Sequence, residues 1–402
     1  MSQRIVIVGS GFAGLYAALA AARLRDCHGV ADEALDIVVV SPEPVLTVRP
    51  RLYERLPGDM KADLSALFDE TGIGFLAGEV TRIDAAAQAI MVHTESGEER
   101  LGYDRLVLAA GSRAAHPPIP GLAEHAFSND QRDTADRLWR HVQSLAGRPA
   151  SEARDTVIIA GGGFTGIETA AEFPHWLREA LGAEARPRVI IVERADTIGP
   201  DLGPGPRPVI EEALDMLGIE RRLGHAVAAI DADGVVLDNG ERIYSATVVW
   251  TGGLRATPLN ADIAAPKDAL GRLIVDSGLR VPGVAAIFAA GDTANAATDE
   301  AGNRTLMSCQ HAMPLGRIAG HNAAAELLGL PTMIYEQPVY GTCLDLGPWG
   351  AVVTQGWERQ VVLAGAEAKA LKTQINSVWI YPPAAERTAA FAAAEPGTYA
   401  TV

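Results

Sequence analysis

Short runs of consecutive apolar residues recur along this chain, and two of them lead directly into glycine-rich segments. Residues 5–8 (IVIV) and 157–160 (VIIA) contain no polar side chain. An uninterrupted run of this kind is typical of a parallel strand that is buried on both faces. A segment that favours helix follows each glycine segment; it is alanine-rich and runs to about residue 22 in the first case, and it covers 167–180 in the second. The pattern therefore predicts the same unit of strand, turn and helix twice.

The two glycine segments have the same spacing. The first is GSGFAG over 9–14, and the second is GGGFTG over 161–166. In such a loop the first glycine permits a tight turn, the second lets the backbone approach a pyrophosphate, and the third lets helix and strand pack closely. The helix N-terminus adds free N–H groups that face the anion. Because strand, loop and helix follow in the required order, we predict a dinucleotide site at each loop rather than two plain turns.

The strand after each helix ends at the position that usually recognises the adenosine ribose. Residues 35–40 and 189–192 are these strands, and Ser41 and Glu193 follow them at the same distance from the last glycine of each loop. An Asp or Glu normally binds the ribose hydroxyls there. The first site has a serine in place of the acid. Glu193 favours NADH over NADPH because it would repel a 2′-phosphate. Because Arg194 lies beside it, NADPH stays an alternative donor.

Further strand-like runs return the chain to the two loops. They end at Gly111, at Gly253 and at Gly291-Asp292. The last pair places a carboxylate at a strand end, where it can hydrogen-bond a polyol chain. Arg49, in the segment that follows the second strand of the first unit, could contact a phosphate or a ring system, or it could be a solvated loop charge.

These elements predict an α/β protein with two Rossmann-like dinucleotide-binding domains, the first interrupted by the second, and a small C-terminal α+β region. The expected boundaries are 1–120 and 255–330 for the first domain, 121–254 for the second, and 331–402 for the C-terminal region. A helix is expected near 309–328, where Pro314 must either start or kink it.

The C-terminal region has strand-like runs at 339–346 and 351–354 and a helical pattern over 367–380. The Pro- and Ala-rich tail after Pro383 is expected to be disordered. Lys369 and Lys372 on the predicted helix could face a bilayer, although an amphipathic helix more often packs on its own protein.

Composition excludes several classes of protein. With 402 residues and a net charge of −16, the chain is large enough for two or three domains and has the wrong field for nucleic acid or an anionic bilayer. Three cysteines without metal-ligand spacing fit a reducing compartment. The sequence predicts a cytoplasmic protein without a signal peptide or membrane span. Any contact with the inner face of a membrane would be peripheral. A homodimer is possible, and the sequence does not decide it.

Taken in order, the motifs resemble a known family. GSGFAG, YDRLVLAAGS, PPIPG, GGGFTGIETAAE, WTGG and AAGDTA together resemble the flavoproteins with two dinucleotide domains that form the pyridine nucleotide oxidoreductases. RPRLYE, GGGFTGIE and the Gln-bearing stretch SCQHA are most similar to type II NADH dehydrogenases. This resemblance covers about residues 4–330, and it implies FAD at the first site, NADH at the second and a quinone acceptor near the flavin.

The resemblance implies roles for individual residues. The candidate FAD-binding residues are Gly9, Gly11, Phe12, Ala13, Gly14, Ser41, Arg49, Ala110, Gly111, Gly291 and Asp292. The candidate NADH-binding residues are Gly161, Gly163, Phe164, Thr165, Gly166, Glu193 and Gly252. The candidate catalytic residues are Glu168, Gln310 and His311. Glu168 would lie near the nicotinamide or be an acid favoured at a helix N-terminus; His311 would donate a proton to the acceptor or be a structural histidine.

The sequence also departs from the family. No CxxxxC motif follows the first loop, which excludes a dithiol relay of the glutathione reductase kind. Ser41 replaces the usual ribose-binding acid, so Glu43 is the alternative ligand. No long amphipathic C-terminal anchor is evident. Cys309 and Cys343 could form a redox pair as in sulfide:quinone reductases, although free buried cysteines are commoner.

The sequence thus predicts an FAD-dependent oxidoreductase that takes a hydride from NADH and passes electrons to a quinone or a similar small acceptor. Two alternatives stay open. One is a flavoprotein reductase of a ferredoxin-like protein or a pathway intermediate, and the other is a redox-sensing protein that binds NADH and FAD with little turnover.

Overall fold

A parallel sheet forms the centre of the first domain. The computed structural model describes residues 2–182 and 185–398. The sheet's strands are, in spatial order, Ile287–Ala289, Arg105–Leu108, Gln3–Val8, Leu35–Ser41 and Gly74–Ala77. The chain therefore completes this sheet only after leaving it and returning at residue 287. The apolar run at 5–8 occupies its centre, where a parallel strand is covered on both faces.

A second parallel sheet repeats this arrangement. Its strands are, in spatial order, Ala126–Phe127, Thr247–Trp250, Thr156–Ala160, Arg188–Glu193 and Ile219–Leu223. The glycine that ends the central strand makes the same bond in each sheet. Gly9 N donates to Val40 O, and Gly161 N donates to Val192 O, both over 2.9 Å. The fold class read from the sequence, with two Rossmann-like units and the second inserted into the first, is confirmed.

Smaller, mostly antiparallel sheets complete the molecule. The two chain crossings between the sheets pair with each other, Ser112–Ala114 with Leu254–Ala256. A three-stranded meander is attached to each parallel sheet, and a third one forms the C-terminal region. The meanders are Glu79–Asp84, Ala89–Thr94 and Gly97–Gly102; Val227–Asp231, Gly234–Leu237 and Arg242–Tyr244; and Gly341–Asp345, Ala351–Gln355 and Gln360–Gly365. Short pairs join Val45–Thr47 to Lys61–Asp63 and Leu273–Ile274 to Ala294–Asn295.

Helices cover the sheets. They are α1 (Phe12–Cys27), α2 (Ser65–Thr71), α3 (Leu122–His125), α4 (Arg132–Ser144), α5 (Glu152–Asp155), α6 (Phe164–Leu181), α7 (Arg207–Met216), α8 (Cys309–Leu328), α9 (Ala366–Gln374) and α10 (Arg387–Ala393). A π-helical turn, Ile375–Trp379, continues α9. None of the helices in the described part of the chain combines the length and apolar character needed to span a membrane.

Helices α1 and α8 pack with their backbones almost touching. A Cβ at Gly316 would lie 2.3 Å from Ala13 O, and one at Gly320 would lie 2.0 Å from Ala17 O. The matching spacing of these contacts shows that the two helices run in the same direction. Their N-termini therefore lie at the same end of the first sheet, where its loops also meet.

Pro314 lies inside α8. A proline there frees the carbonyl of Gln310, four residues earlier, from the helix. Gln337 Nε2 donates to that oxygen over 3.4 Å. The helix thus continues through the proline because a side chain from the next segment supplies the missing donor.

The expected disorder of the C-terminal tail is wrong as far as residue 398; residues 399–402 lie outside the described part of the chain. Helix α10 packs on α1, and Arg387 Nη2 bonds Asp26 Oδ1 over 2.7 Å. Ala390 and Ala394 are fully buried there. Alanine is the strongest helix former, and its small side chain allows close packing, so an Ala-rich tail did not require disorder.

Two further details of the C-terminal region differ from the elements predicted from the sequence. The strand Gln360–Gly365 was missed because it is largely exposed and its apolar residues do not alternate. The predicted helix over 367–380 is present as α9 and the π-helical turn, but Lys372 points inward and Lys369 pairs with Asp345. Lys372 is 5% exposed. Helix α9 therefore packs on its own protein.

Candidate functional site

The first glycine loop is closed on one side and open on the other. Gly9 has φ +105°, and a Cβ there would lie 2.6 Å from Ala109 O. A Cβ at Gly14 would lie 1.8 Å from Gly9 O, so α1 approaches the loop only because Gly14 has no side chain. At Gly11, by contrast, no described atom lies within 4 Å of the Cβ position. This open face can admit a ligand.

The second loop repeats these contacts. Gly161 has φ +126°, and its Cβ would lie 2.7 Å from Thr251 O. A Cβ at Gly166 would lie 1.9 Å from Gly161 O, and the Cβ position of Gly163 again has free space among the described atoms. Helices α1 and α6 begin next to the open glycines, and no side chain of the described residues caps either N-terminus. Both loops therefore present free N–H groups that suit a pyrophosphate.

The residues at the ribose positions differ in their bonding. Glu193 is 8% exposed, and it accepts from Gly162 N over 2.7 Å and from Ala195 N over 2.9 Å. Its carboxylate is thus fixed at the strand end with lone pairs to spare. Ser41 Oγ lies 2.9 Å from Ser10 Oγ. Glu43, the alternative ligand, pairs instead with Arg132 at 2.9 Å.

Arg49 and Asp292 meet beside the first loop. Ser112 Oγ donates to Asp292 Oδ2 over 2.6 Å, and Arg49 Nη1 lies 3.4 Å from the same oxygen. Arg49 also pairs with Asp130. Gly291 places Asp292 there through a turn with φ +67°, in which a Cβ would lie 2.8 Å from Ala13 Cβ. Arg49 is therefore part of a paired polar group rather than a solvated loop charge.

Glu168 lies at the junction of three parts of the chain. It is on the second turn of α6 and is 4% exposed. Lys372 Nζ of α9 lies 2.8 Å from Glu168 Oε1, and Asp345 N donates to the same oxygen over 3.0 Å. Lys369 Nζ bonds Asp345 Oδ1 over 2.5 Å and lies 3.8 Å from Glu172. We call these three acids and two lysines the junction cluster.

Two aromatic rings lie beside Lys372 of the junction cluster. The ammonium of Lys372 lies 5.7 Å from the ring centres of both Tyr53 and Phe164. Tyr53 also donates to Asp345 Oδ2 over 2.9 Å. Tyr53 follows Arg49 in the first domain, and Phe164 begins α6 in the second. The cluster therefore joins both domains to the C-terminal region.

Burial perturbs the acids of the junction cluster. It raises the pKa of Glu168 to about 7, with Asp345 adding to the rise and Lys372 opposing it. It also raises the pKa of Glu172 to about 7, again with Asp345 adding and Lys369 opposing. Two carboxyl groups can therefore gain or lose a proton near neutral pH.

The start of α8 carries the other two candidate catalytic residues. Gln310 Oε1 is buried without a hydrogen-bond partner among residues 2–182 and 185–398. His311 is fully buried, and burial lowers its pKa to about 3. Its ring is therefore neutral at physiological pH, and an imidazolium is not the source of a proton.

No disulfide joins the three cysteines in this structure. Cys27, Cys309 and Cys343 are free thiols. Desolvation raises the pKa of both Cys309 and Cys343 to about 11, so neither is a thiolate at neutral pH. In the described part of the chain, no group of His, Cys, Asp and Glu is arranged to hold a metal ion.

Sequence reasoning selected Glu168 but missed Lys372, Asp345 and Tyr53. Lys372 was noted only as a residue that could face a bilayer. An inward-pointing lysine on an amphipathic helix gives no signal in a single sequence, because its partner is about two hundred residues away. The aromatic residue Tyr53 in the RPRLYE segment was the one available signal.

Comparison with known proteins identifies the family of the chain. The sequence profile of the pyridine nucleotide-disulphide oxidoreductases matches residues 3–316. An NADH dehydrogenase-like protein of Mycobacterium tuberculosis is 46% identical over 382 residues, which cover 94% of each chain. The demethylphylloquinone reductase of Synechocystis is 31% identical and covers 87% of this chain and 86% of its own.

Solved structures show the same fold. NDH2 from Plasmodium falciparum in complex with NADH superposes with a TM-score of 0.77 at 16% identity and covers 98% of this chain and 97% of its own. The sulfide:quinone oxidoreductase of Aquifex aeolicus has a TM-score of 0.74 at 18% identity, with 93% of this chain and 90% of that one covered.

Proposed function

The chain belongs to the pyridine nucleotide-disulphide oxidoreductase family, and from that premise we propose that it is an FAD-dependent oxidoreductase that uses NADH to reduce a quinone. Two dinucleotide cradles of matching geometry in one chain carry the proposal. Each has an open glycine face next to an uncapped helix start, at Gly11 and at Gly163. Two dinucleotides held by one protein serve hydride transfer between them.

The first cradle fits FAD. Gly11 and the first N–H groups of α1 suit the pyrophosphate, and Asp292 with Ser112 offers oxygens to the ribityl hydroxyls. The unpartnered Gln310 Oε1 at the start of α8 suits a ring that carries an N–H group. Bound there, FAD would supply hydride acceptance and the release of electrons to the second substrate.

The second cradle fits NADH. Gly163 and the start of α6 suit the pyrophosphate. Glu193 is held at the strand end by two backbone N–H groups, so its carboxylate can accept from the ribose hydroxyls without moving. A 2′-phosphate would meet a buried negative charge, which favours NADH over NADPH.

The quinone acceptor rests on the junction cluster and on the relatives. The demethylphylloquinone reductase and the type II NADH:quinone oxidoreductases among them act on quinones by their names. Reduction of a quinone to a quinol consumes protons as well as electrons. Glu168, whose pKa is raised to about 7, can hold such a proton at its carboxyl, and Lys372 can balance the carboxylate left behind.

The experiment follows the flavin spectrum of the purified protein. We expect bound FAD, loss of its absorbance when NADH is added without oxygen, and rapid return when a water-soluble naphthoquinone is mixed in. A colourless protein that takes up no added FAD would overturn the proposal. A reduced protein that quinones do not reoxidise would remove the quinone acceptor; reoxidation by a ferredoxin-like protein would then indicate a different reductase, and a long-lived reduced complex would indicate a sensor.

A further inference from the structure

The last part of the chain that the structure describes lies across the first domain. We call residues 384–398 the C-terminal strap. It contains α10, which packs on α1, and its residues Ala390 and Ala394 are fully buried. Arg387 of the strap bonds Asp26 near the end of α1 over 2.7 Å. These contacts attach the strap to the helix that follows the first glycine loop.

Arg317 of α8 joins the strap to α1 and α8. Its Nε donates to Ala393 O over 2.8 Å, and its Nη1 donates to Thr398 O over 2.7 Å. The same guanidinium lies 4.3 Å from the ring centre of Tyr16 in α1. Arg317 is 6% exposed, and a buried guanidinium requires acceptors for its N–H groups. The strap supplies two of them and so holds the cation against the Tyr16 ring.

This contact lies within about one turn of the first cradle. Gly316, the residue before Arg317, is where α8 touches the loop, since a Cβ there would lie 2.3 Å from Ala13 O. The turn at Gly291 touches the same loop residue, because its Cβ would lie 2.8 Å from Ala13 Cβ. Tyr16 is one helical turn further along α1. A shift of α8 near Arg317 would therefore disturb the loop directly.

Electrostatic repulsion between α1 and α8 makes such a tie necessary. The two helices run in the same direction, and each helix start carries about half a positive charge. These two like charges lie side by side at the first cradle and repel each other. A bound pyrophosphate would offset the repulsion, but the helices must be held in place before it binds. The attraction between the Arg317 cation and the Tyr16 ring links the two helices at this end.

We propose that Arg317 is a positioning residue of the first cradle: held by the C-terminal strap, it keeps the start of α1 against α8 and so retains the FAD that we assign to this cradle. The inference rests on the proposed function and adds the contact that makes the first nucleotide a retained prosthetic group. Arg317 acts through Tyr16 and does not have to touch the nucleotide.

The test measures the dissociation constant of FAD by equilibrium dialysis of the full chain against a series of FAD concentrations. R317L removes the guanidinium and should raise this constant about tenfold. R317K keeps the charge but lacks the planar fork that reaches both strap carbonyls, so it should cause a smaller rise.

Two further variants test the part played by the strap. A394D puts a carboxylate at a fully buried position of the strap, which should displace the strap and raise the dissociation constant about as much as R317L does. The double variant R317L/A394D should show no further rise, because both changes break the same contact.

The control is R387Q, which removes an ion pair of the strap that is 40% and 41% exposed. Exposed pairs contribute little, so the dissociation constant of FAD should stay at the wild-type value. Urea unfolding of each variant separates positioning from stability. A purely structural defect would lower the urea midpoint, but it would leave the dissociation constant unchanged if it weakened the chain equally with and without FAD.

An unchanged dissociation constant in R317L would overturn the inference. So would an equal rise in R387Q, since the effect would then come from general loosening of the strap. A rise in the double variant equal to the product of the two single rises would show that Arg317 acts independently of the strap, and this too would overturn it. If R317L does not fold, R317K and A394D decide. Wild-type protein that takes up no FAD would instead refute the proposed function itself.

Discussion

The two glycine-loop units have matching loops, but the helices that follow the loops carry different kinds of residue on their covered faces. The position two residues after the last loop glycine is Tyr16 in α1 and Glu168 in α6, and the position four residues further is Ala20 in α1 and Glu172 in α6. Tyr16 and Ala20 are buried apolar contacts, whereas Glu168 and Glu172 face the lysines of α9. In our proposal the loop determines where a dinucleotide binds, and the covered face of the helix determines what else the unit can do.

The parts of the chain that pack on α1 and on α6 also differ. Helix α8 covers α1 through glycine and alanine contacts, and the guanidinium of Arg317 lies 4.3 Å from the Tyr16 ring centre. The C-terminal region covers α6 through the ion pairs of Lys372 with Glu168 and of Lys369 with Glu172. A close contact between helix backbones suits a unit that, in our proposal, retains a prosthetic group. A charged contact that can exchange a proton suits the unit where a substrate enters and leaves.

Alanine substitution of the third loop glycine should affect the two units in different ways. We expect this substitution to have the largest effects of those that we predict. G14A places a Cβ 1.8 Å from Gly9 O and should give a protein that folds poorly or lacks FAD. G166A places one 1.9 Å from Gly161 O and should retain FAD but lose most reduction by NADH, roughly a hundredfold in kcat/KM. Flavin content and anaerobic reduction rates measure both.

G147A is the control for these variants, because no described atom lies within 4 Å of its Cβ position. It should behave as wild type in both measurements. If G14A kept its flavin and G166A lost it, the assignment of FAD to the first loop and NADH to the second would be reversed.

Giving the second unit the serine of the first should have an intermediate effect. E193S removes the buried carboxylate at the ribose position, so NADPH no longer meets a negative charge. We expect the ratio of kcat/KM for NADH to kcat/KM for NADPH to fall roughly tenfold or more. R194Q, which removes the exposed neighbouring cation, should move the ratio in the opposite direction. A ratio that E193S leaves unchanged would show that Glu193 has no part in choosing the nucleotide.

The smallest effect concerns the acids that only the second unit carries. The folded-state pKa of Glu172 is raised to about 7 from 4.5, so its contribution to stability is complete below the unfolded pKa and is lost as the pH rises towards 7. E172Q cannot lose a proton. Its unfolding free energy should therefore fall less between pH 5 and 7 than that of wild type, by up to about 1.4 kcal/mol per pH unit.

Urea unfolding at several pH values measures this slope. E179Q, on an exposed part of the same helix, is the matched control and should keep the wild-type profile. Equal slopes for E172Q and wild type would mean that Glu172 titrates in the folded protein as it does in the unfolded chain.

Much of the fold followed from local patterns. The apolar runs at 5–8 and 157–160 identified the central strands, and the glycine spacing identified the turns, because a strand buried on both faces and a loop at a helix start leave local marks. The Pro- and Ala-rich tail was misread. Its order depends on α1, which offers a surface where small side chains fit and where Asp26 can pair with Arg387.

The candidate site also has parts that the sequence predicted and parts that only the structure revealed. Sequence by itself determined the two cradles, because each consists of neighbouring residues whose backbone conformation depends on glycine. Only the tertiary structure decided the junction cluster and the aromatic neighbours of His311. Glu168 meets Lys372, and His311 meets Tyr340 and Trp357, through contacts between distant segments. Whether a lysine faces lipid or a buried acid depends on which surface its helix covers, and that is settled by packing rather than by the local sequence.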